Sequence, residues 1–270
     1  MAPAASTAAA PANEPLLLRH DDGGIVTLTL NRPHQYNALS DAVLTELQSQ
    51  VDAIAGDATV RVVVIAGAGP AFCAGHDLKE MRARPDPAYY RDLFQRCSRL
   101  MLTVTQLPQP VIARVHGIAT AAGCQLVATC DLAVAATEAR FATSGINVGL
   151  FCSTPAVALS RNISEKRAFE MLMTGDFIDA DTALRYGLVN RVVPADEIDR
   201  AVADLARRIA GKSAVAVAAG KRLFYRQRDL GLSAAYDLAA ETMACNMMAE
   251  DVGEGIDAFM QKRAPVWKGR

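Results

Sequence analysis

The sequence predicts an α/β fold that ends in a helical region, and three observations support this prediction. Apolar strand patterns alternate with helical patterns up to about residue 136. Two of the strands run into turns rich in glycine and alanine, "AFCAGHDL" and "TAAGCQL". Beyond Ser164 the apolar spacing is helical, with one short interruption at "LVNRVVP". We therefore expect a mixed core over residues 16–195 and a helical region over residues 196–270.

The first elements are a hairpin and a helix. "LLLR", a turn at "DDGG" and "IVTLTLN" predict two short paired strands. Ser40 is the expected N-cap of a helix that stops at Gly56. Between them the apolar residues recur at helical spacing: Val43, Leu44, Leu47, Val51 and Ile54.

The next elements alternate between buried strands and helices. "VRVVVIAG" predicts a buried strand because it is rich in β-branched residues. A helix is expected over residues 89–107, followed by the strand "PVIARVHG", a further helix and the strand "DLAVAA". Four helical patterns then follow the last strand, which gives the C-terminal third its predicted helical character.

Composition excludes several classes of function. The 28 basic and 29 acidic side chains nearly balance, so we expect no nucleic-acid partner. No apolar run approaches the roughly 18 residues of a membrane helix, so we expect no membrane partner. The six cysteines form no CxxC pair and are accompanied by only four histidines. We interpret them as reduced core thiols of a cytoplasmic protein without a metal site.

The first 15 residues, "MAPAASTAAAPANEP", differ in composition from the rest of the chain. They are rich in alanine and proline, and no basic residue precedes Arg19. The stretch therefore lacks the features of a secretory signal or an arginine-rich transit peptide. We interpret it as a disordered leader without a catalytic role.

The two glycine- and alanine-rich turns have the same design. In each, a strand ends, small residues follow, and the chain approaches a helix. Two backbone N–H groups aimed at one point form an oxyanion hole, and small side chains let a carbonyl group approach them. Such turns are also common packing devices, so one of them alone is a weak indication of a site.

Six motifs in order resemble the crotonase superfamily, also called the enoyl-CoA hydratase/isomerase family: "NRPHQYNAL", "AFCAGHDLKEM", "HGIATAAGCQLVATCDLAVA", "FATSGINVGL", "TGDFIDADTALRYGLVNRVVP" and "EGIDAFMQKRAPVW". "AAGCQLVATCD" and "NVGLFCSTP" look most like the subgroup called enoyl-CoA hydratase domain-containing protein 3. The resemblance implies a ClpP/crotonase-like spiral of ββα turns and C-terminal helices that build homotrimers or hexamers. It implies acyl-CoA thioester substrates, so coenzyme A enters as part of the substrate and no cofactor is bound permanently.

The same resemblance assigns a site. The oxyanion-hole donors are the backbone amides of His76 and Ala122, each worth about 3 kcal/mol to a developing enolate. Residues that match the coenzyme A arm are His34, Gln35, Tyr36, Ala74, His76, Asp77, Leu78, Lys79 and, near the CoA phosphates, Lys262. By composition alone, Lys262 is also consistent with a solvated lysine of the tail, and His34 with an ordinary loop residue.

The sequence departs from the family at the residues that handle protons. Family hydratases use two glutamates to activate water and to protonate the α-carbon. The first falls on Gln125 and the second on Gly145. An amide does not titrate and glycine offers only backbone, so ordinary hydratase activity is doubtful.

Three nearby side chains are candidates to replace the glutamates. Cys152 matches a tyrosine of methylmalonyl-CoA decarboxylase, and Ser153 matches an aspartate of aryl-CoA dehalogenases. The imidazole of His76 can change charge near neutrality. Each has an ordinary structural alternative. Cys152 fits a small buried hydrophobic residue, Ser153 or Thr154 can cap a helix with Pro155 at its first position, and Asn147 and Asp77 can fix loops.

Three functions follow from these observations. The first is an enoyl-CoA hydratase-like lyase or isomerase that stabilises a thioester enolate in fatty-acid metabolism. The second is decarboxylation of a malonyl-type thioester, which needs the oxyanion hole and a proton source but no base for water. The third is a non-catalytic acyl-CoA binder.

Overall fold

The structure, a computed structural model, describes residues 14–270 of the chain. The predicted leader lies, up to residue 13, outside the described residues. The strands of the described part are β1 (Leu17–Asp22), β2 (Ile25–Leu30), β3 (Val62–Gly67), β4 (Ala71–Cys73), β5 (Val111–Val115), β6 (Ile118–Thr120), β7 (Leu132–Ala136), β8 (Arg140–Ala142), β9 (Ile178–Asp179) and β10 (Arg191–Val193).

The α-helices are α1 (Asp41–Ala55), α2 (Leu78–Ala83), α3 (Pro87–Gln106), α4 (Ala122–Thr129), α5 (Ser153–Leu159), α6 (Glu165–Thr174), α7 (Ala180–Tyr186), α8 (Ile198–Ala210), α9 (Ala214–Gln227), α10 (Leu232–Met247) and α11 (Glu250–Met260). Two 3₁₀ turns span Pro33–Gln35 and Ser144–Val148. None of these helices is long and apolar enough to cross a membrane.

The strands form two sheets, and successive strands of the chain alternate between them from β3 to β8. The larger sheet has the order β1-β2-β3-β5-β7-β10, and all its pairs are parallel except β1 with β2. The smaller sheet has the order β4-β6-β8-β9 and is parallel except for β8 with β9. The pairs β3–β4, β5–β6 and β7–β8 each place one strand in each sheet before the chain turns helical. The predicted spiral of ββα turns is confirmed.

The large sheet is buried on both faces, which explains the uninterrupted apolar runs in its strands. Val63 and Ile65 of β3 belong to the main core, whereas Val62 and Val64 face the opposite side. Helix α8 covers that opposite side with three buried residues, Ile198, Val202 and Ala206. The helical region from residue 196 onward therefore begins with a helix that belongs to the core. Its expected role in oligomerisation stays a prediction.

Helix α1 forms as the sequence predicts. The Ser40 hydroxyl accepts a hydrogen bond from the backbone N–H of Val43 at 3.2 Å, which caps the helix. The five apolar positions expected to face the core are all buried, and Gly56 is the C-cap. The predicted hairpin is confirmed as well, with β1 and β2 paired antiparallel.

Two features of the fold differ from expectation. Beyond Ser164, β10 lies in the expected interruption "LVNRVVP", whereas β9 is an additional strand, and each of the two lies at the edge of one sheet. The strands of the smaller sheet have only two or three residues. A segment this short carries too little alternation of apolar and polar residues to be recognised in a sequence.

Helix α9 is attached to the core by a buried lysine. The Lys221 ammonium donates hydrogen bonds to the carbonyl oxygens of Val104 and Gln109 at 2.9 Å and to the Asp131 carboxylate at 2.7 Å. The Tyr225 hydroxyl donates to the same carboxylate at 2.8 Å. Burial lowers the pKa of Lys221 and raises that of Tyr225. All three donor positions of the ammonium are used, so its burial is compensated.

The helices that follow leave apolar surface uncovered. None of the residues of α10 is buried. Large exposed apolar side chains on and around α10 and α11 are Leu232, Tyr236, Met243, Met247, Met248, Ile256, Phe259 and Met260. A single chain thus presents an apolar surface in its C-terminal part.

Candidate active site

The two glycine- and alanine-rich turns meet in the structure. Strands β4 and β6 are parallel neighbours, so their carboxyl ends reach the same edge of the sheet. Gly75 has a φ of 91°, and a Cβ atom there would lie 2.9 Å from the Cβ of Ala121 and 3.1 Å from the backbone nitrogen of Ala122. Only glycine permits this backbone conformation together with so close an approach.

Two backbone amides at this junction have no protein acceptor. The N–H groups of His76 and Ala122 make no hydrogen bond within residues 14–270. Pairing with Leu39 fixes the His76 backbone, since Leu39 donates to the Gly75 oxygen at 2.8 Å and accepts from Asp77 at 3.3 Å. Ala122 is the first residue of α4, where N–H groups have no partner in the helix. Both residues line the same cavity of about 200 Å³.

A second glycine lets α4 approach the strand that carries the first turn. A Cβ atom on Gly123 would lie 2.1 Å from the carbonyl oxygen of Cys73, the last residue of β4. All eight residues of α4 are buried. The position of the Ala122 amide therefore depends on direct packing of helix backbone against strand backbone.

The His76 imidazole lines the cavity as a neutral group. Its ring packs edge-on against Phe94, with 5.5 Å between the ring centroids, and neither ring nitrogen has a partner in the described residues. Burial lowers the pKa of His76 to about 4. The expectation of a group that titrates near neutrality is therefore wrong, because the sequence does not reveal how deeply the ring is buried.

This shifted pKa predicts a pH dependence of stability. The unfolded chain binds a proton at His76 near pH 6.5, whereas the folded protein binds it only near pH 4. The contribution of the neutral His76 to the free energy of unfolding is fully present above pH 6.5. It falls by about 3 kcal/mol as the pH decreases toward 4. We expect His76→Gln to remove this contribution to the dependence of the free energy of unfolding on pH. Urea titrations at several pH values between 4 and 6.5 measure that dependence. The exposed His20→Gln is the matched control, and equal slopes for the wild type and His76→Gln would contradict the prediction.

The positions of the two absent glutamates differ in their surroundings. Gln125 is 4% exposed, its Oε1 atom has no partner in the described residues, and it does not line the cavity. Gly145 does line the cavity. A Cβ atom there would lie 2.5 Å from the Leu150 carbonyl oxygen and 2.8 Å from the Cys152 sulfur. The segment from residue 150 to 152 thus occupies the space that a side chain at position 145 would need.

The alternative candidates after Gly149 have structural roles. Cys152 is buried and lines the cavity, and burial raises the pKa of its thiol, which favours the protonated form. Cys152 is also the N-cap of α5, so the predicted caps Ser153 and Thr154 lie inside the helix, with Pro155 at its third position. The Ser153 hydroxyl donates to the Phe151 carbonyl at 3.4 Å instead of capping the helix.

The residues expected along the coenzyme A arm come from two adjacent segments. His34, Gln35 and Tyr36 are exposed, and the backbone N–H of Ala74 donates to the Tyr36 oxygen at 2.9 Å. The two segments are therefore joined at Ala74, which also lines the cavity. Leu78 and Lys79 are exposed beside it.

Asp77 fixes this loop. The sequence allowed that structural role as an alternative to a contact with coenzyme A. Its carboxylate accepts hydrogen bonds from the backbone N–H groups of Lys79 at 3.1 Å and Glu80 at 3.4 Å, which caps α2. It also forms an ion pair with Arg32 at 3.3 Å. Its oxygens are thus engaged within the protein. Asn147 lies in the 3₁₀ turn Ser144–Val148 and ties that turn to a distant segment, because its side-chain amide donates to the Gly175 carbonyl oxygen at 3.3 Å.

Lys262 shares no hydrogen bond or ion pair with the other expected site residues in the described part of the chain. It follows α11 with a φ of 55° and is exposed. The tail beyond it packs near the end of α8, where the Trp267 indole donates to the Gly211 carbonyl at 2.9 Å. Within the described residues, no hydrogen bond or ion pair joins Lys262 to the cavity.

Sequence reasoning missed several residues of the cavity wall. The Ser144 and Thr120 hydroxyls share a hydrogen bond at 2.6 Å, and Ser144 lines the cavity. The sequence feature that could have identified Ser144 is its position next to Gly145, a predicted site residue. Leu78 of the apolar wall was among the predicted residues. The apolar wall residues that were not predicted come from three separate elements: Met81, Phe94, Val148, Leu150 and Phe151. The described residues contain no cluster of three or more potential metal ligands.

Comparison with known proteins decides the family. A family model described as enoyl-CoA hydratase/isomerase matches residues 20–270. The chain belongs to the enoyl-CoA hydratase/isomerase family. Enoyl-CoA hydratase domain-containing protein 3 of Rattus norvegicus is 46% identical over 98% of this chain and 89% of its own length. The predicted resemblance to that subgroup is confirmed.

Solved structures of the enoyl-CoA hydratase/isomerase family agree with the fold. A crystal structure of enoyl-CoA hydratase from Mycobacterium smegmatis matches with a TM-score of 0.93 and 59% identity, and covers 94% of this chain and 99% of its own. Human enoyl-CoA hydratase domain-containing protein 3 matches with a TM-score of 0.91 and 45% identity, over 94% of this chain and 100% of its own.

The relatives correct one prediction about this family member. The rat protein and the other vertebrate relatives of the same name are named mitochondrial, so the expected cytoplasmic location is wrong. The prediction relied on six reduced core thiols, but only five of the cysteines are buried and Cys245 is exposed. Reduced thiols indicate a reducing environment, and that property does not identify which compartment provides it.

Proposed function

We propose that this protein binds acyl-CoA thioesters and stabilises the thioester enolate in an oxyanion hole formed by the His76 and Ala122 amides. The observation that carries the proposal is that two backbone N–H groups without protein acceptors line one small cavity. Unsatisfied amides in a largely apolar cavity favour an oxygen acceptor on a ligand.

The geometry supports enolate formation by charge stabilisation. A thioester oxygen that accepts from both amides gains negative charge as the α-carbon is activated, and each donor contributes about 3 kcal/mol to that state. The N-terminus of α4 adds a partial positive charge at Ala122. The neutral cavity wall strengthens these interactions because it excludes water.

We place the coenzyme A part of the substrate along the exposed surface outside the cavity. His34, Gln35 and Tyr36 would lie near its nucleotide end, and Ala74 with the segment 76–79 along its arm. We also propose that Lys262 contacts the CoA phosphates. Since no hydrogen bond or ion pair joins Lys262 to this surface within the described residues, we propose that the contact forms in an oligomer.

We propose a homotrimer, or a hexamer of two trimers, as the assembled form. The support is the apolar surface of α10 and α11, which a single chain leaves exposed. Burying such a surface between subunits removes it from water.

Hydration of enoyl-CoA is expected to be slow in this protein. We expect purified protein to hydrate crotonyl-CoA at least about 100-fold more slowly than an ordinary hydratase, because general acid–base catalysis contributes about that much or more. Gln125→Glu alone should not restore the rate, since Gly145 still provides no second carboxylate. Hydration measured by ultraviolet absorbance tests this, and binding of saturated butyryl-CoA confirms an intact site. A wild-type rate equal to that of ordinary hydratases would refute the role assigned to these two positions.

Decarboxylation of a malonyl-type thioester is the second candidate. The neutral His76 imidazole lines the cavity next to the proposed oxyanion hole, where its N–H can donate a hydrogen bond to the enolate. The proton for the α-carbon then comes from water, because a neutral imidazole that lost its proton would be left as an imidazolate. Carbon dioxide release from malonyl- or methylmalonyl-CoA would favour this function, and no release from either would exclude it. Tight binding of acyl-CoA without any turnover would favour the third candidate, a non-catalytic binder.

A further inference from the structure

The cavity wall contains no formal charge. Among the described residues that line the cavity there is no lysine, arginine, aspartate or glutamate. The polar side chains of the wall are His76, Ser144, Ser153 and Thr154. The rest of the wall is apolar or small, with large side chains from α2, α3 and the segment 148–151.

The polar groups of the wall are few and uncharged. The Ser144 hydroxyl already shares a hydrogen with Thr120 at 2.6 Å, and the Ser153 hydroxyl is bonded to the Phe151 carbonyl at 3.4 Å. Pro155, in the first turn of α5, has no N–H to donate. Burial keeps His76 neutral near pH 7, since its pKa is lowered to about 4.

The cations behind the wall are paired with carboxylates of the protein. Arg96, which lies close enough to His76 to lower its pKa, donates to Asp41 at 2.6 Å and to Asp92 at 2.8 Å. Arg84 is paired with the second oxygen of Asp41 at 3.2 Å. Neither guanidinium group lines the cavity.

From these observations we infer that the site selects acyl groups with an uncharged, apolar tail and rejects those with a distal carboxylate, which also argues against the malonyl-type decarboxylation named above as the second candidate. The inference rests on the proposed acyl-CoA site and adds the class of acyl group to it. A carboxylate in this cavity would lose its hydration and meet only a few neutral donors, without a cation to pair with it. An apolar tail of the same length gains from contact with the wall.

Calorimetric binding of two saturated thioesters with five-carbon acyl chains tests the selectivity without turnover. Pentanoyl-CoA ends in a methyl group and glutaryl-CoA in a carboxylate. We expect pentanoyl-CoA to bind more tightly than free coenzyme A, and glutaryl-CoA to bind at least about 100-fold more weakly than pentanoyl-CoA. Equal affinity for the two thioesters would overturn the inference and leave the proposed function intact. Equal affinity for pentanoyl-CoA and free coenzyme A would contradict the acyl site itself.

A matched pair of variants assigns the selectivity to the wall. Val148 lines the cavity and is 66% exposed, so an arginine there can be accommodated with its charge near the cavity. We expect Val148→Arg to strengthen glutaryl-CoA binding about tenfold or more relative to pentanoyl-CoA. Val157, on α5, is 55% exposed and does not line the cavity, so Val157→Arg should leave the ratio unchanged. An equal change in both variants would show that a general charge effect, and not the wall, sets the selectivity.

Discussion

Replacing Lys221 with methionine is expected to lower the free energy of unfolding by about 3 to 5 kcal/mol, the typical cost of removing one partner of a buried ion pair. The Lys221 side chain is almost fully buried, and its ammonium is the hydrogen-bond donor to Val104, Gln109 and Asp131. Without it, two carbonyl oxygens lose a donor and the Asp131 carboxylate loses its cation. Urea denaturation at a fixed protein concentration measures the change.

Two further variants make this prediction specific. Lys166→Met, at an exposed position of α6, should change the free energy of unfolding by no more than about 0.5 kcal/mol. The double variant Lys221→Met with Asp131→Asn should cost less than the sum of the single changes, because the uncompensated charge is gone. Additive costs would show that the two residues do not act as a pair.

Gly123→Ala is expected to disturb both stability and ligand binding. The new methyl group would lie 2.1 Å from the Cys73 oxygen and 2.7 Å from its carbonyl carbon. Both are backbone atoms, so α4 must move away from β4, at a cost of about 3 kcal/mol. This movement displaces the Ala122 amide, and we expect the binding of butyryl-CoA, measured by calorimetry, to be lost.

Gly220→Ala is the matched control for this change. Gly220 is an exposed residue of α9 whose Cβ position has no atom within 4 Å. Alanine there should leave binding unchanged and stabilise the protein by about 0.5 kcal/mol, because it reduces the freedom of the unfolded chain. If Gly123→Ala binds butyryl-CoA as tightly as Gly220→Ala does, the amide of Ala122 is not part of the site.

The parts of the fold that the sequence predicts are those with a long periodic pattern. Helix α1 has five apolar residues at helical spacing and a serine cap, and each of these features is present in the structure. The buried strands β3, β5 and β7 were recognised from runs of apolar residues. The resemblance implied the ββα turns, but the sequence pattern did not locate the individual strands of the smaller sheet, because two or three residues do not establish a pattern.

For the site, the sequence located the two turns but not the environment around them. The closeness of Gly75 to Ala122 follows from the pairing of β4 with β6, two strands too short to recognise in the sequence. The neutral state of His76 depends on burial against Phe94, which belongs to a helix with no shared motif. Likewise, the network of Lys221 joins residues 90 or more positions apart. Such contacts arise only when distant segments pack.

The crowding at Gly145 also constrains the order in which a hydratase could evolve or be engineered from this chain. A glutamate at position 145 meets the Leu150 oxygen and the Cys152 sulfur, so a new conformation of residues 150–152 has to come first. A glutamate at position 125 added before that step would be a buried acid without its catalytic partner. A search that accepts one substitution at a time should therefore find no single glutamate, at position 125 or 145, that increases hydratase activity. Libraries that first vary residues 150–152 are the ones in which both carboxylates can become beneficial.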